Sequence, residues 1–538
     1  MFRALRSGID RLAAVRSARS STLLIMGLTL ASKPIGYLRY LMIAWLFGAS
    51  ASMDAFNMSI GLIAFLVGSM ASSLESAVLP TLVSALQRDP ESGRDLMGCI
   101  NQVIIAFGCL VCLAIGFFGR DIVTFFAPGF TGERLSWSVV MLWCLVPYSF
   151  SLALRAGLVS WTTATERYVL PSVIAAATNL LGFVVFAAGA FFWGVVSLPI
   201  SMSVQLVTNT IALYFFARDV PLYFQRFPKE MLGRVLSDFV PCAAILGVGT
   251  LYVIVDRFFV SMLAVGAVTH LSYANVLFGA VLSLAASPLL VFLTKSVKGI
   301  EGATDESEKL ARLRSYASQA IEIAFAYLIP VSVACAAAAI PAIGLVWGYG
   351  AFLHEDVVVT GLCAAAYFFA GPLNLTCTIF YRVAQASKKL YGVMMLSIIS
   401  VGINAYLDWL LYVPFGAPGV AAATSLTWLA LSFMYSRWLM GNYRLGTSPM
   451  RVFIQVLVAL AWGSGISSLS YTASTVRGVI SLVACAFLVL GHFVLLERWG
   501  IYSSLPVGWR PMAVLRFLLS KTWSSVSCFV NNDIFNSR

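Results

Sequence analysis

From residue 21 to residue 497 the chain repeats one pattern, an apolar run of about 20 residues followed by a short polar connector. Runs of that length match the hydrocarbon thickness of a bilayer. Inside it every backbone N–H and C=O must be satisfied by the protein, and a helix does this within one segment. The pattern therefore predicts an all-α integral membrane protein. Windows of span length give about fourteen transmembrane helices, the first at 21–46 and the last at 476–497. Composition agrees, with 60% hydrophobic residues, 11% charged residues and a mean hydropathy of +0.89. Soluble domains carry about 25% charged residues.

The net charge of +12 does not point to nucleic acid, because the cations follow the connectors. The basic start, MFRALRSGIDRLAAVRSARSS, precedes an apolar run that continues to Phe47. That is longer than the apolar core of a cleaved signal, about 7 to 15 residues. We read an uncleaved first span behind a basic cytoplasmic tail, residues 1–20. Of the 35 lysines and arginines, only Arg120, Arg134 and Arg477 fall in connectors assigned to the outside. The positive-inside rule then puts both termini in the cytoplasm. Residues 221–236 read as an amphipathic interfacial helix, and 298–314 as a charged surface helix.

Several charges lie inside spans, where each costs about 2.5–3.5 kcal/mol on insertion scales. They persist where they face a water-filled cavity or one another. The stretch ASKPIGYLRYLMIAWLFGASASMDAFN, 31–57, holds Lys33, Arg39 and Asp54. Pro34 and Gly36 weaken the helix ladder beside Lys33 and are read as a hinge. Glu75, Arg155, Asp256, Arg257 and Asp408 complete the set. Local alternatives exist: Asp256 pairing with Arg257, and Asp54 capping its own span.

Arg39, Gly48 and Asn57 stand nine residues apart, and Arg257, Gly266 and Asn275 repeat that spacing 218 residues on. Asn179 with Gly194–Val195, and Asn404 with Gly419–Val420, repeat another spacing at an offset of 225. Nearly equal offsets predict two pseudo-symmetric six-helix lobes, 21–220 and 221–445, then two further helices within 446–500 and a cytoplasmic tail, 501–538. Parallel repeats place a site at the lobe interface. The expected substrate-binding residues are Lys33, Arg39, Asp54, Asn57, Arg257 and Asn275. Arginine forks match phosphate oxygens bidentately. Glu75 and Asp256 are candidates for ion coupling or a gate. The alternative is an inter-lobe gate in which each arginine meets a carboxylate or backbone carbonyls.

Enzyme chemistry finds little support. His270, His354 and His492 are scattered, no metal-ligand spacing occurs, and there is neither a P-loop nor a GxSxG. Cys109 and Cys112 form a CxxC, but its neighbours read as helix interior. No catalytic residue, metal or bound cofactor is expected.

Five motifs carry a family resemblance: SKPIGYLRYLMIAWLFGASASMDAF, APGF, ERYVLPSVIAAATNL, DRFFVSMLAVGAVTHLSYAN, and FYRVAQASKK with INAYLDWLLYVPFGAPGVAAATS. In this order the chain resembles the MurJ (MviN-like) lipid II flippases of the multidrug/oligosaccharidyl-lipid/polysaccharide exporter superfamily. The resemblance implies a V-shaped bundle of two lobes around a cationic central cavity, with two extra helices forming a groove for the lipid tail. It implies alternating access without ATP, driven by a proton or sodium gradient or by membrane potential. It also implies a monomer in the bacterial cytoplasmic (inner) membrane, with membrane lipids and envelope glycan synthesis enzymes as partners.

The chain departs from the family pattern at Lys33, usually Arg, at Tyr40, usually acidic, and at Val276, usually Arg. The second-span segment GLIAFLVGSM lacks the family's arginine pair, and Glu75 has no clear counterpart. A lipid-linked substrate such as lipid II or an exopolysaccharide repeat unit is expected. The competing readings are a drug exporter of the same superfamily, a membrane glycosyltransferase or ligase, and a non-transporting partner of an envelope synthesis complex. A cationic cavity repels cationic drugs, and short connectors leave little room for a catalytic loop.

Overall fold

A computed structural model describes residues 18–217, 219–223, 229–298, 306–387, 389–441, 449–470, 475–499, 501–502 and 511. Among them the regular structure is helical throughout. The order is α1 (Ala18–Phe47), α2 (Ala51–Arg88), α3 (Pro90–Phe126), α4 (Gly132–Cys144), α5 (Val146–Ala164), α6 (Leu170–Trp193) and α7 (Ser197–Ala217). There follow α8 (Lys229–Ser261), α9 (Ala267–Lys298), α10 (Glu306–Ala337), α11 (Ala339–Trp347), α12 (His354–Phe369), α13 (Gly371–Ala386), α14 (Leu390–Met440), α15 (Pro449–Ser470) and α16 (Thr475–Arg498).

Among the described residues seven segments are long and apolar enough to cross a membrane by length and composition, or up to nine if each of two bent pairs is one span. Two of the seven exceed any single crossing. Leu170–Ala217 has 48 residues, about 72 Å of straight helix against about 30 Å of hydrocarbon. It turns back at Gly194, φ 55° and ψ −136°, and Gly182 lies against Gln205 across the turn. The 51-residue α14 turns at Gly416, φ 61° and ψ −146°, between Pro414 and Pro418, and Gly392 meets Trp438. Only glycine adopts such a backbone without strain, so each residue fixes a hairpin tip. With these hairpins divided, and α1, α9 and α15 added, the helices are consistent with the fourteen crossings expected.

Backbone features recur at the offsets seen in the sequence. Gly48 and Gly266 both have positive φ, +54° and +94°, just before α2 and α9. The bent pairs, α4 with α5 and α12 with α13, both turn by 45°, with Pro147 and Pro372 at the start of the second member.

Two expectations are corrected. Lys229 to Leu236 forms the first turns of α8 rather than a separate interfacial helix, while 221–223 is not helical and 224–228 lies outside the described residues. Likewise Glu306 to Arg314 opens α10, with 299–305 outside the described residues. In both places nothing stops a helix between the charged turns and the apolar run that follows. Pro34 and Gly36 lie inside α1, which runs unbroken past them.

The chain divides into two compact units. The first holds the described residues up to Ser272, with Trp347–Asp356 and Ser397–Val420. In it α7 packs on α5 and α6, α5 on α3 and the second half of α2, α1 on α6, and α8 on α2. The second holds Tyr273–Val346, Val357–Leu396 and the described residues from Ala421 onward. There α10 packs on α13, α15 and α16. Its inward face carries Ala317, Ala320, Ala324 and Ala334, small enough for helices to approach closely where no hydrophobic effect drives association. Large apolar side chains such as Phe117, Phe125, Phe191 and Phe192 point outward, as lipid contact requires. The protein is a multi-pass membrane protein.

Candidate functional site

In the first unit the in-span charges separate into three groups. The first surrounds Arg39. Ser201, Gln205 and Asn209 on α7 are four residues apart and so share one face. Arg39 donates from Nη2 to Ser201 Oγ (2.8 Å) and from Nη1 to Gln205 Oε1 (3.2 Å). Its guanidinium lies 5.7 Å from the centroid of the Phe186 ring, within cation–π range. All these partners are neutral, and among the described residues Arg39 has no ion-pair partner. One turn along the face, Asn209 Oδ1 accepts from Arg155 Nε at 3.2 Å. Lys33 is exposed on the same helix as Arg39 and, among the described residues, makes no hydrogen bond or ion pair.

The second group joins Asp54, Asn57 and Arg257. Asp54 is fully buried. Its Oδ2 accepts from Gly266 N (2.7 Å), and its Oδ1 from Thr269 N (2.9 Å) and Thr269 Oγ1 (2.7 Å). Asp54 thus caps α9, whose first N–H groups have no partner in their own helix. The local alternative, Asp54 capping its own span, is corrected: Ser50 does that, accepting from Met53 N. Asn57 Nδ2 donates to Thr269 Oγ1 at 3.2 Å, and its carbonyl accepts from Arg257 Nη1 at 2.5 Å. The Arg257 guanidinium lies over Gly61, where any Cβ would collide with it.

The third group is acidic. Adjacent residues on a helix do not share a face, so Asp256 points away from Arg257, toward α14. Asn404 Nδ2 donates to Asp256 Oδ1 (3.2 Å) and to Asp408 Oδ2 (2.9 Å). All three side chains are buried, and Asp408 Oδ1 has no hydrogen-bond partner.

Of the expected residues, the structure brings Asp54, Asn57 and Arg257 together and sets Arg39 in a separate group. Asn275 is exposed and belongs to the second unit. Glu75 is half-buried on α2, close enough to Arg155 to act on it electrostatically but without an ion pair. Sequence reasoning did not select Ser201, Gln205, Asn209, Thr269 or Asn404. The four-residue spacing on α7 was a visible signal for the first three. Asn404 stood out only as a marker of the repeat, and Thr269 gave no signal that singled it out.

A family model described as "Lipid II flippase MurJ" matches residues 43–496. The chain is 25% identical over 431 residues to a probable lipid II flippase MurJ of Synechocystis sp., covering 74% of this chain and 76% of that protein. To the one of Thermotoga maritima it is 24% identical over 415 residues, 75% and 81% of the two chains. Among solved structures it resembles a lipid II flippase MurJ in an inward closed conformation, with TM-score 0.73 and 20% identity over 88% of this chain and 99% of that one. It also resembles an inward-facing multidrug resistance MATE family transporter of the MOP superfamily, with TM-score 0.63 and 14% identity over 80% and 98%. These two likenesses show the fold. Because the family match runs from α1 into the last turn of α16, the chain belongs to the lipid II flippase MurJ family.

Proposed function

We propose that this protein moves a lipid-linked saccharide precursor, joined to its lipid through a diphosphate, across the cytoplasmic membrane by alternating access. The observation that carries the reading is Arg39, a half-buried guanidinium in a membrane helix held by a hydroxyl, an amide and an aromatic ring. A charge in that position calls for an opposite charge. A diphosphate supplies it, through charge-assisted bonds of about 1.5–3 kcal/mol each. Lys33, exposed six residues earlier and without a partner among the described residues, is a second cation for the same headgroup.

The relatives named as lipid II flippases favour lipid II as the cargo. Val276 and the uncharged segment 61–70 favour a second reading, an exopolysaccharide repeat unit, because the headgroup then meets fewer cations than the family pattern supplies. Asp256 and Asp408 support coupling to a proton or sodium ion. Two carboxylates joined through one asparagine amide repel each other when both are charged, and a cation or a shared proton relieves this.

The test is complementation of a lipid II flippase depletion strain. We expect growth with the wild-type chain and lysis with a well-expressed Lys33→Ala/Arg39→Ala variant. Failure of the wild type, with export of another diphosphate-linked glycan intact in its own host, selects the second reading. Full rescue by the double variant removes the anionic substrate.

A further inference from the structure

Arg155 stands within α5 and is half-buried. Among the described residues its one hydrogen bond runs from Nε to Asn209 Oδ1. That acceptor is fixed in turn, because Asn209 Nδ2 donates to Thr178 Oγ1 at 3.0 Å, and Thr178 Oγ1 donates to Ile174 O at 2.8 Å. Asn209 and Thr178 are both buried, so the amide is set with its oxygen toward Arg155. Among the described residues, the two terminal nitrogens of Arg155 have no hydrogen-bond partner and no carboxylate lies within ion-pair distance.

The contrast with Arg39 is chemical. Arg39 commits both terminal nitrogens and a ring face to the protein. Arg155 is anchored at Nε and leaves its terminal pair open, the arrangement that grips two oxygens of one phosphate. The two arginines are held by one stripe of α7, and the rise from Gln205 to Asn209 is about 6 Å. Tyr148 on α5 is close enough to feel both guanidinium charges. Glu75 is near Arg155 but does not reach it. Two guanidinium groups anchored about one turn apart thus face a single nearby carboxylate, Glu75, which acts on Arg155.

We propose that Arg155 is a second anion-binding residue of the transport site, acting beside Arg39 on the diphosphate of the lipid-linked substrate. This rests on the reading given under Proposed function. Glu75 screens Arg155 when the site is empty and opposes the arriving phosphate when it fills.

The test uses the full chain in lipid nanodiscs, with undecaprenyl diphosphate as probe and undecaprenyl monophosphate as comparison, followed by native mass spectrometry. Arg155→Gln is expected to weaken diphosphate binding at least about tenfold, with an unchanged thermal midpoint. Arg155→Lys is expected to fall between, since an ammonium keeps the charge and loses the fork. Glu75→Gln is expected to tighten binding in the wild-type background and to do nothing in Arg155→Gln, a coupling that a purely structural arginine would not produce. Wild-type affinity in Arg155→Gln, with loss in Arg39→Gln, overturns this inference and leaves the proposed function standing. No diphosphate binding by the wild-type chain overturns the proposed function, and this inference with it.

Discussion

Asp54 and Thr269 lie 215 residues apart in the chain, yet one carboxylate oxygen of Asp54 accepts from both the backbone N–H and the hydroxyl of Thr269. The contact ties the start of α2 to the start of α9. Asp54→Ala leaves buried donors unpaired and is expected to cost about 1–3 kcal/mol. Asp54→Asn keeps an acceptor and is expected to cost less. Thermal melting in detergent checks both, and equal midpoints for Asp54→Ala and the wild type would refute the cap.

Gly61 leaves the space that the Arg257 guanidinium occupies. Gly61→Ala forces the arginine to move, and overpacking of this kind costs about 1–3 kcal/mol. In an Arg257→Ala background the same change is expected to be nearly neutral. A double-mutant cycle measures the difference, and additive costs would mean that the two residues do not meet in the folded protein.

If Asp256 and Asp408 bind a coupling cation, that cation stabilises the folded protein by mass action, about 2.7 kcal/mol at a hundred times its dissociation constant. The melting midpoint should then rise with sodium but not with an equal concentration of potassium, or shift with pH if the ion is a proton. Asp408→Asn should abolish the response. A response that survives in Asp408→Asn places ion coupling elsewhere.

Orientation is open to direct labelling. A cysteine introduced as Ser307→Cys, in a protein cleared of reactive native thiols, should react with a membrane-impermeant maleimide only after cells are opened. Reaction in intact cells would invert the proposed topology.

The spans were legible because a bilayer imposes both length and apolarity on each segment, and the two hairpin glycines sit where those constraints demand a turn. Arg39, Asp54 and Arg257 were legible as charges, since a charge in such a setting is costly. Their partners were harder to read. Ser201, Gln205 and Asn209 look like mild interruptions of an apolar helix, and the helices they serve lie more than fifty residues away. Asp54 was read as a cavity residue, with capping of its own span as the alternative, because sequence shows only local neighbours, whereas its donors come from another helix. The charged turns before α8 and α10 were read as separate elements because their composition changes, but a helix continues through a change of composition when no residue breaks it.

The neutral cradle around Arg39 has an electrical consequence. Under the proposed function an empty carrier holds positive charge at this point, and a bound diphosphate would offset it. One elementary charge crossing the full field is worth about 2.3 kcal/mol per 100 mV. With the cell interior negative, the field therefore does work on the unloaded protein, drawing its cationic site toward the cytoplasm, and acts little on the loaded one. In the proposed cycle the resting voltage would draw the empty carrier toward the face where new cargo is made, and the cargo's own charge would offset that pull on the outward journey.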